Sequence, residues 1–206
     1  MTDLTAFPIL STARLVLREI VDADAPALLA IHGDPLLMRW FGSDPIADLD
    51  AARGLVRAFA SWRTLVNPGT RWGIERRDRP GLVGSVGLFS WNRQWRRCTV
   101  GYELAREAQG QGLMCEALGA VLPWGWAHMQ VHRIEALIHP DNLPSIRLVR
   151  GLGFVEEGRL REVGRWGGRH HDMLQFSLLQ REWKAPAPRA ADGAASILPT
   201  APASPT

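Results

Sequence analysis

The feature that most constrains this chain is a change of period in its middle. Residues 70–75, 81–91 and 97–105 alternate apolar and polar side chains, and short polar turns at 76–81 and 92–96 join them. A two-residue repeat of this kind is the mark of strands, here an antiparallel meander. The alternation then stops. A loop bearing two glycines, Q-G-Q-G at 109–112, leads into a helical stretch that runs to about residue 129, and a strand follows at 133–139. Strands 97–105 and 133–139 thus flank one helix, which predicts that they pair in parallel through a right-handed crossover.

The flanking segments extend the pattern. Residues 14–18 predict a first strand. Residues 24–33 predict a helix capped by Asp22 or Asp24, with Pro26 in its first turn. Residues 38–45 predict a loop, and 48–63 an amphipathic helix with apolar positions at 52, 55, 56, 59 and 60. Pro123 removes a backbone donor from the central helix, so a kink or an early end is expected there. Residues 142–151 predict a short helix closed by Gly151 or Gly153, and 154–163 and 171–179 two further strands. The order is β-α-α-β-β-β-α-β-α-β-β: an α+β fold, with a mostly antiparallel mixed sheet, flanking helices and one parallel pair.

Composition narrows the class. Of 206 residues, 46% are apolar and 22% charged, as in a soluble globular protein. One domain is expected over residues 1–184. The stretch 185–206, with eight alanines and five prolines, is expected to be a disordered tail. No apolar run is long enough for a bilayer. Residues 1–10 lack the basic and apolar regions of a secretion signal, and two cysteines, Cys98 and Cys115, are too few for a disulfide framework. A cytoplasmic protein is expected, with no membrane partner. The net charge of +3, carried by scattered arginines and the single lysine Lys184, gives no basic stripe for nucleic acid. His128 and His132 begin in different elements, and His170, His171 and Asp172 are adjacent on a strand, so no metal site is expected. His171 is read as a pocket-lining residue, and Trp40, Phe41, Trp91 and Trp95 as loop aromatics that most simply pack under those loops and otherwise line the same pocket.

Glycines at the mouth of a helix let main-chain amides approach a ligand closely. The first helical turn adds unpaired N–H groups and the positive end of the dipole, which together suit a phosphate. The spacing here is neither the Walker loop nor the dinucleotide fingerprint. The glycines alone fit a phosphate cradle or a plain tight connection equally.

The run V-G-Y-E-L-A-R-E-A-Q-G-Q-G-L-M-C-E-A-L (100–118) resembles the acetyl-CoA-binding motif of the GNAT N-acetyltransferases, Q/R-x-x-G-x-G/A, here Gln109-x-x-Gly112-x-Met114. Met114 departs from the small last residue. Residues 132–162 and 169–183 resemble the later blocks of the RimJ/RimL-type branch, so the likeness covers roughly 10–184. It implies acetyl-CoA as cosubstrate and an amine acceptor, either a protein N-terminus or a small molecule. It implies that a pantetheine arm lies between two splayed parallel strands. It places pyrophosphate on the amides of Gln109, Gly110, Gln111, Gly112, Leu113 and Met114, and the thioester carbonyl on the amide near Leu104. Asn142 matches a cofactor-contacting asparagine of the family.

Amine attack on a thioester needs a base for the ammonium and help for the departing thiolate. Glu103, a carboxylate in an otherwise apolar strand, is the first candidate base, on the premise that burial raises its pKa. Glu157 and Asp172 are lesser candidates that nearby arginines can pair. A tyrosine acid on the last helix is absent, because that position is Val149 and the one tyrosine is Tyr102. Ser145, in the register of the branch's serine, is expected to face the sulfur, with helix capping as its structural alternative. Related folds pair, so a homodimer is expected. The rival functions are a CoA-binding sensor without catalysis and a nucleotide-phosphate binder using the same loop.

Overall fold

The computed structural model describes residues 7–185. Its strands are β1 (Leu10–Ser11), β2 (Leu15–Arg18), β3 (Thr70–Arg76), β4 (Arg79–Asn92), β5 (Arg97–Leu104), β6 (Arg133–Ile138), β7 (Val155–Trp166) and β8 (Arg169–Leu179). Its helices are α1 (Ala25–His32), α2 (Pro35–Met38), α3 (Leu49–Ser61), α4 (Leu113–His128) and α5 (Leu143–Gly151). The Ala- and Pro-rich stretch predicted as a tail lies, apart from Ala185, outside the described residues.

All the strands join one sheet in the order β1-β2-β3-β4-β5-β6-β8-β7, and every neighbouring pair is antiparallel except β5·β6. That is the expected mixed sheet with one parallel seam. Its local causes are legible. Asp48 caps α3 by accepting from the Ala51 amide at 2.9 Å, and Asp34 caps α2 from the Leu36 amide at 2.8 Å. Gly167 and Gly168, with φ of +59° and +74°, close the β7–β8 hairpin in a conformation that other residues adopt only under strain.

The sheet buries both faces. Trp72, Val86, Leu88, Val100 and Ile134 pack with Val121, Leu122 and Trp124 of α4 and Ile146 of α5 in one core. Ile20, Leu28, Ile31, Val56 and Phe59 form a second core under α1 and α3.

Two expectations are corrected. Asp24 sits at the start of α1, yet its carboxylate takes Arg18 and the Val21 amide instead of capping the helix. The early end that Pro123 allowed does not occur: helix α4 runs on to His128, close to the expected residue 129. Val121, Leu122, Trp124 and Trp126 around the proline are all buried, and that packing outweighs one missing hydrogen bond.

Candidate active site

The parallel strands touch only at their beginnings. Arg97, Cys98 and Thr99 pair with Arg133, Ile134 and Glu135, and beyond that register β5 and β6 part. The amide of Ala105 reaches the Val83 carbonyl of β4 at 2.9 Å. Backbone groups alternate between the two edges of a strand, so the amides of Tyr102 and Leu104 point the other way, into the gap. A cleft of about 870 Å³ opens there, within the range of small-molecule sites.

The glycine loop forms the upper end of the cleft. Gly110 and Gly112 both take left-handed φ, +74° and +73°. Gly112 caps α4 with no side-chain bond, and the first intrahelical bond is Glu116 N–H to the Gly112 carbonyl at 3.1 Å. The amides of Leu113, Met114 and Cys115 therefore enter the helix without helical partners, and Gly110, Gly112 and these three residues line the cleft. Gln109 holds the loop to the strand: its side-chain amide donates to the Leu104 carbonyl at 3.0 Å. Gln111 turns aside and donates to the Glu107 carbonyl at 2.6 Å. Glu116 ties the whole turn to the sheet, accepting from Thr12 and from the Arg14 guanidinium, each at 2.6 Å. Arg14 in turn donates to the Gln111 carbonyl at 3.0 Å. Burial pushes the Glu116 carboxyl up, but these donors outweigh it and hold it below the usual range.

The two faces of β5 carry different chemistry. Tyr102 faces α5, and its hydroxyl lies 2.8 Å from the Ser145 hydroxyl. Burial pushes the phenol up to about 12, with Ser145 pulling the other way. Asn142 caps α5 by accepting from the Ser145 amide at 3.3 Å, which leaves the serine hydroxyl to Tyr102. Val149, where a tyrosine is absent, is fully buried.

Glu103 faces the other way, toward α1 and α3. Arg71 and Ser85 both donate to its carboxylate, and Arg71 is itself buried. His32 Nε2 lies 3.4 Å from Glu103 Oε1, too poorly aligned for a hydrogen bond, and has no other partner. Burial alone would raise the Glu103 pKa. The Arg71 charge, His32 and Ser85 win, and the net direction is downward. This corrects the premise on which Glu103 was chosen as a base: its strand is apolar, but its cross-strand neighbours are not.

These features decide the family. Residues 14–155 match the acetyltransferase (GNAT) domain. The chain belongs to the GNAT acetyltransferase family. YoaA of Bacillus subtilis (strain 168), an uncharacterized N-acetyltransferase, is 34% identical over 84% of this chain and 98% of its own. The ribosomal protein uS5-alanine N-acetyltransferase of Escherichia coli (strain K12) is 27% identical over 84% of this chain and 92% of its own. RimJ of Mycobacterium smegmatis, solved in complex with CoA-disulfide, superposes with a TM-score of 0.74 at 23% identity, covering 82% of this chain and 83% of that one. These likenesses are consistent with the RimJ/RimL type expected from the later sequence blocks.

Within this GNAT frame the predicted residues divide. Glu103, Leu104, Gln109, Gly110, Gly112, Leu113, Met114, Asn142 and Ser145 gather around the cleft, whereas Gln111 is not among its lining residues. Glu157 is bound by Arg133 and Ser177, which hold it down at about 2, and Asp172 accepts from the Glu162 amide. Neither lines the cleft. Trp40 and Phe41 line it. Trp91 instead sits by a smaller pocket with Trp124, and Trp95 is exposed on the β4–β5 turn. His171 is packed behind the wall, 3.7 Å from the parallel ring of Trp166, which does line the cleft. Among the described residues no group of three or more His, Cys, Asp or Glu is placed to hold a metal. No helix there is long and apolar enough to cross a membrane. Sequence reasoning missed His32, Arg71 and the Tyr102 pairing. The alternation that puts Tyr102 and Glu103 on opposite faces was readable, but which element each face meets was not.

Proposed function

We propose that this protein transfers the acetyl group of acetyl-CoA to a primary amine, by direct attack of the amine nitrogen on the thioester carbon. The observation that carries this is the parting of β5 from β6 beside the glycine-opened start of α4. An elongated thiol cofactor with a phosphate head needs such a slot next to such a cradle. The pyrophosphate would rest on the amides from Gln109 to Met114, with the exposed Arg147 of α5 at hand for further phosphate charge. Asn142 would contact the arm.

Attack generates an oxyanion, to which the Leu104 amide would donate. The carbon–sulfur bond then breaks and CoA leaves as thiolate, which is neutralised to the thiol by the second proton that the nitrogen sheds as it becomes an amide. Tyr102 and Ser145 would meet the sulfur. A phenol displaced to about 12 stays protonated at any physiological pH. A thiol has a pKa of roughly 8.5, so full transfer from that phenol is uphill and its role is to donate a hydrogen bond to the thiolate. On the other face, Glu103 stays anionic and would draw in and orient the ammonium. His32, beside it with Nε2 unpartnered, would take the proton. A cytoplasmic setting fits the free thiols of Cys98 and Cys115.

The test is release of free thiol from acetyl-CoA in the presence of an amine panel, with the acetylated amine identified by mass. Stoichiometric thiol and acetylated amine are expected, with no acetyl group left on the protein. CoA binding without turnover would instead make the chain a sensor. A protein N-terminus is one acceptor this chemistry admits, and the uS5-alanine enzyme among the relatives supports including such peptides in the panel.

A further inference from the structure

We infer that the acceptor is a primary amine carried on an aromatic or similarly bulky apolar body with no second positive charge. This rests on the acetyl-transfer function proposed above. The half of the cleft on the Glu103 face is where an acceptor would approach the thioester from the side opposite Tyr102 and Ser145. Its wall is aromatic: Trp40, Phe41, Phe59, Trp62, Phe89 and Trp166. The β7–β8 hairpin and the loop after α2 are locked together to build it. Trp166 Nε1 donates to the Arg39 carbonyl at 2.9 Å, and the Gly167 amide to Asp44 at 2.6 Å.

The charges there exclude a polycation. Glu103 is the one carboxylate among the cleft-lining residues; Arg71 already engages it, and what attraction it keeps is taken by the reacting ammonium, so none is left for a second cation. Arg39 and Arg71 also line the cleft, so a second cation on the acceptor would meet positive charge and find no free carboxylate. Aromatic faces can hold a cation in place of a carboxylate. Here several faces are taken: Arg39 lies 3.6 Å over Trp40, Arg71 4.7 Å from the Phe59 ring centroid, and Trp62 packs on Phe89 with centroids 5.2 Å apart. What remains is apolar edge and surface, complementary to an aromatic or bulky aliphatic group.

The same chemistry can come from a free arylalkylamine or from the first residue of a peptide. The experiment measures kcat/KM by thiol release from acetyl-CoA for 2-phenylethylamine, a neutral peptide beginning with Phe, ethanolamine and spermidine, with acetyl-CoA binding followed by calorimetry on the same protein. At least one aromatic acceptor is expected to exceed both ethanolamine and spermidine by about tenfold or more. The better of the two aromatic acceptors tells free amine from peptide. Phe41→Ala is expected to raise KM for the preferred acceptor about tenfold and leave KM for acetyl-CoA unchanged. Phe41→Glu is expected to narrow the gap to spermidine. Spermidine turned over as well as the aromatic acceptors, or no advantage of either over ethanolamine, overturns the inference. If acetyl-CoA still binds and some other amine is acetylated, acetyl transfer stands without it. If acetyl-CoA does not bind, both fall.

Discussion

Tyr102 and Ser145 reach each other from a strand and a helix on the two sides of the split, and their hydroxyls meet 2.8 Å apart. If they hold the departing thiolate, Tyr102→Phe should lower kcat by roughly a hundredfold and leave KM for acetyl-CoA near its original value. Ser145→Ala should cost less, because the phenol remains. Steady-state kinetics with one amine acceptor checks both. Glu103 makes the opposite kind of prediction. Removing one partner of a buried ion pair strands the other, so Glu103→Gln should lower stability by about 3 kcal/mol in urea unfolding. The pH dependence follows from the sign of its shift. The folded pKa is depressed, so its contribution is present above the unfolded carboxylate value of about 4.3 and is lost as pH falls through the folded value. The gap between wild type and Glu103→Gln should therefore shrink as unfolding is followed down from pH 6 to pH 3. A lone carboxylate in an apolar strand reads from the sequence as a raised group. Arg71 and Ser85 come from two other strands, and only the sheet register brings them under Glu103.

At the level of elements, local signals were legible and nonlocal ones were not. The meander, the crossover helix and the parallel seam follow from a change of period and from two glycines, all within one segment of chain. How far β5 and β6 stay paired is set by contacts between distant parts of the chain, and no sequence period reports it. Pro123 shows the same limit, since burial on α4 overrode a local rule. The glycine loop gives the sharpest prediction of this kind. A Cβ on Gly110 would meet nothing within 4 Å, so only its left-handed φ of +74° opposes a side chain. Gly110→Ala should cost about 1 kcal/mol of stability and, by tilting the amides, weaken CoA binding. Calorimetric titration of the folded variant separates the two effects. An unchanged affinity would mean that the loop is only a connection.

Across the whole molecule, the proposed function would put the cofactor on one face of the sheet and the acceptor on the other, with the split between β5 and β6 as the passage between them. A ligand filling that passage bridges strands that otherwise lack pairing. At about a hundred times its Kd, CoA should add roughly 2.7 kcal/mol, or on the order of 5–10 °C in Tm, whereas ATP, without a thiol arm for the slot, should add little. The most direct measurement is a crystal structure of the protein grown with acetyl-CoA. The predicted result has pyrophosphate on the amides of residues 109–114, the arm between β5 and β6, and the sulfur within hydrogen-bond reach of Tyr102 or Ser145. An acetyl-CoA bound elsewhere, or β5 and β6 zipped together along their full length with the ligand excluded, would contradict it.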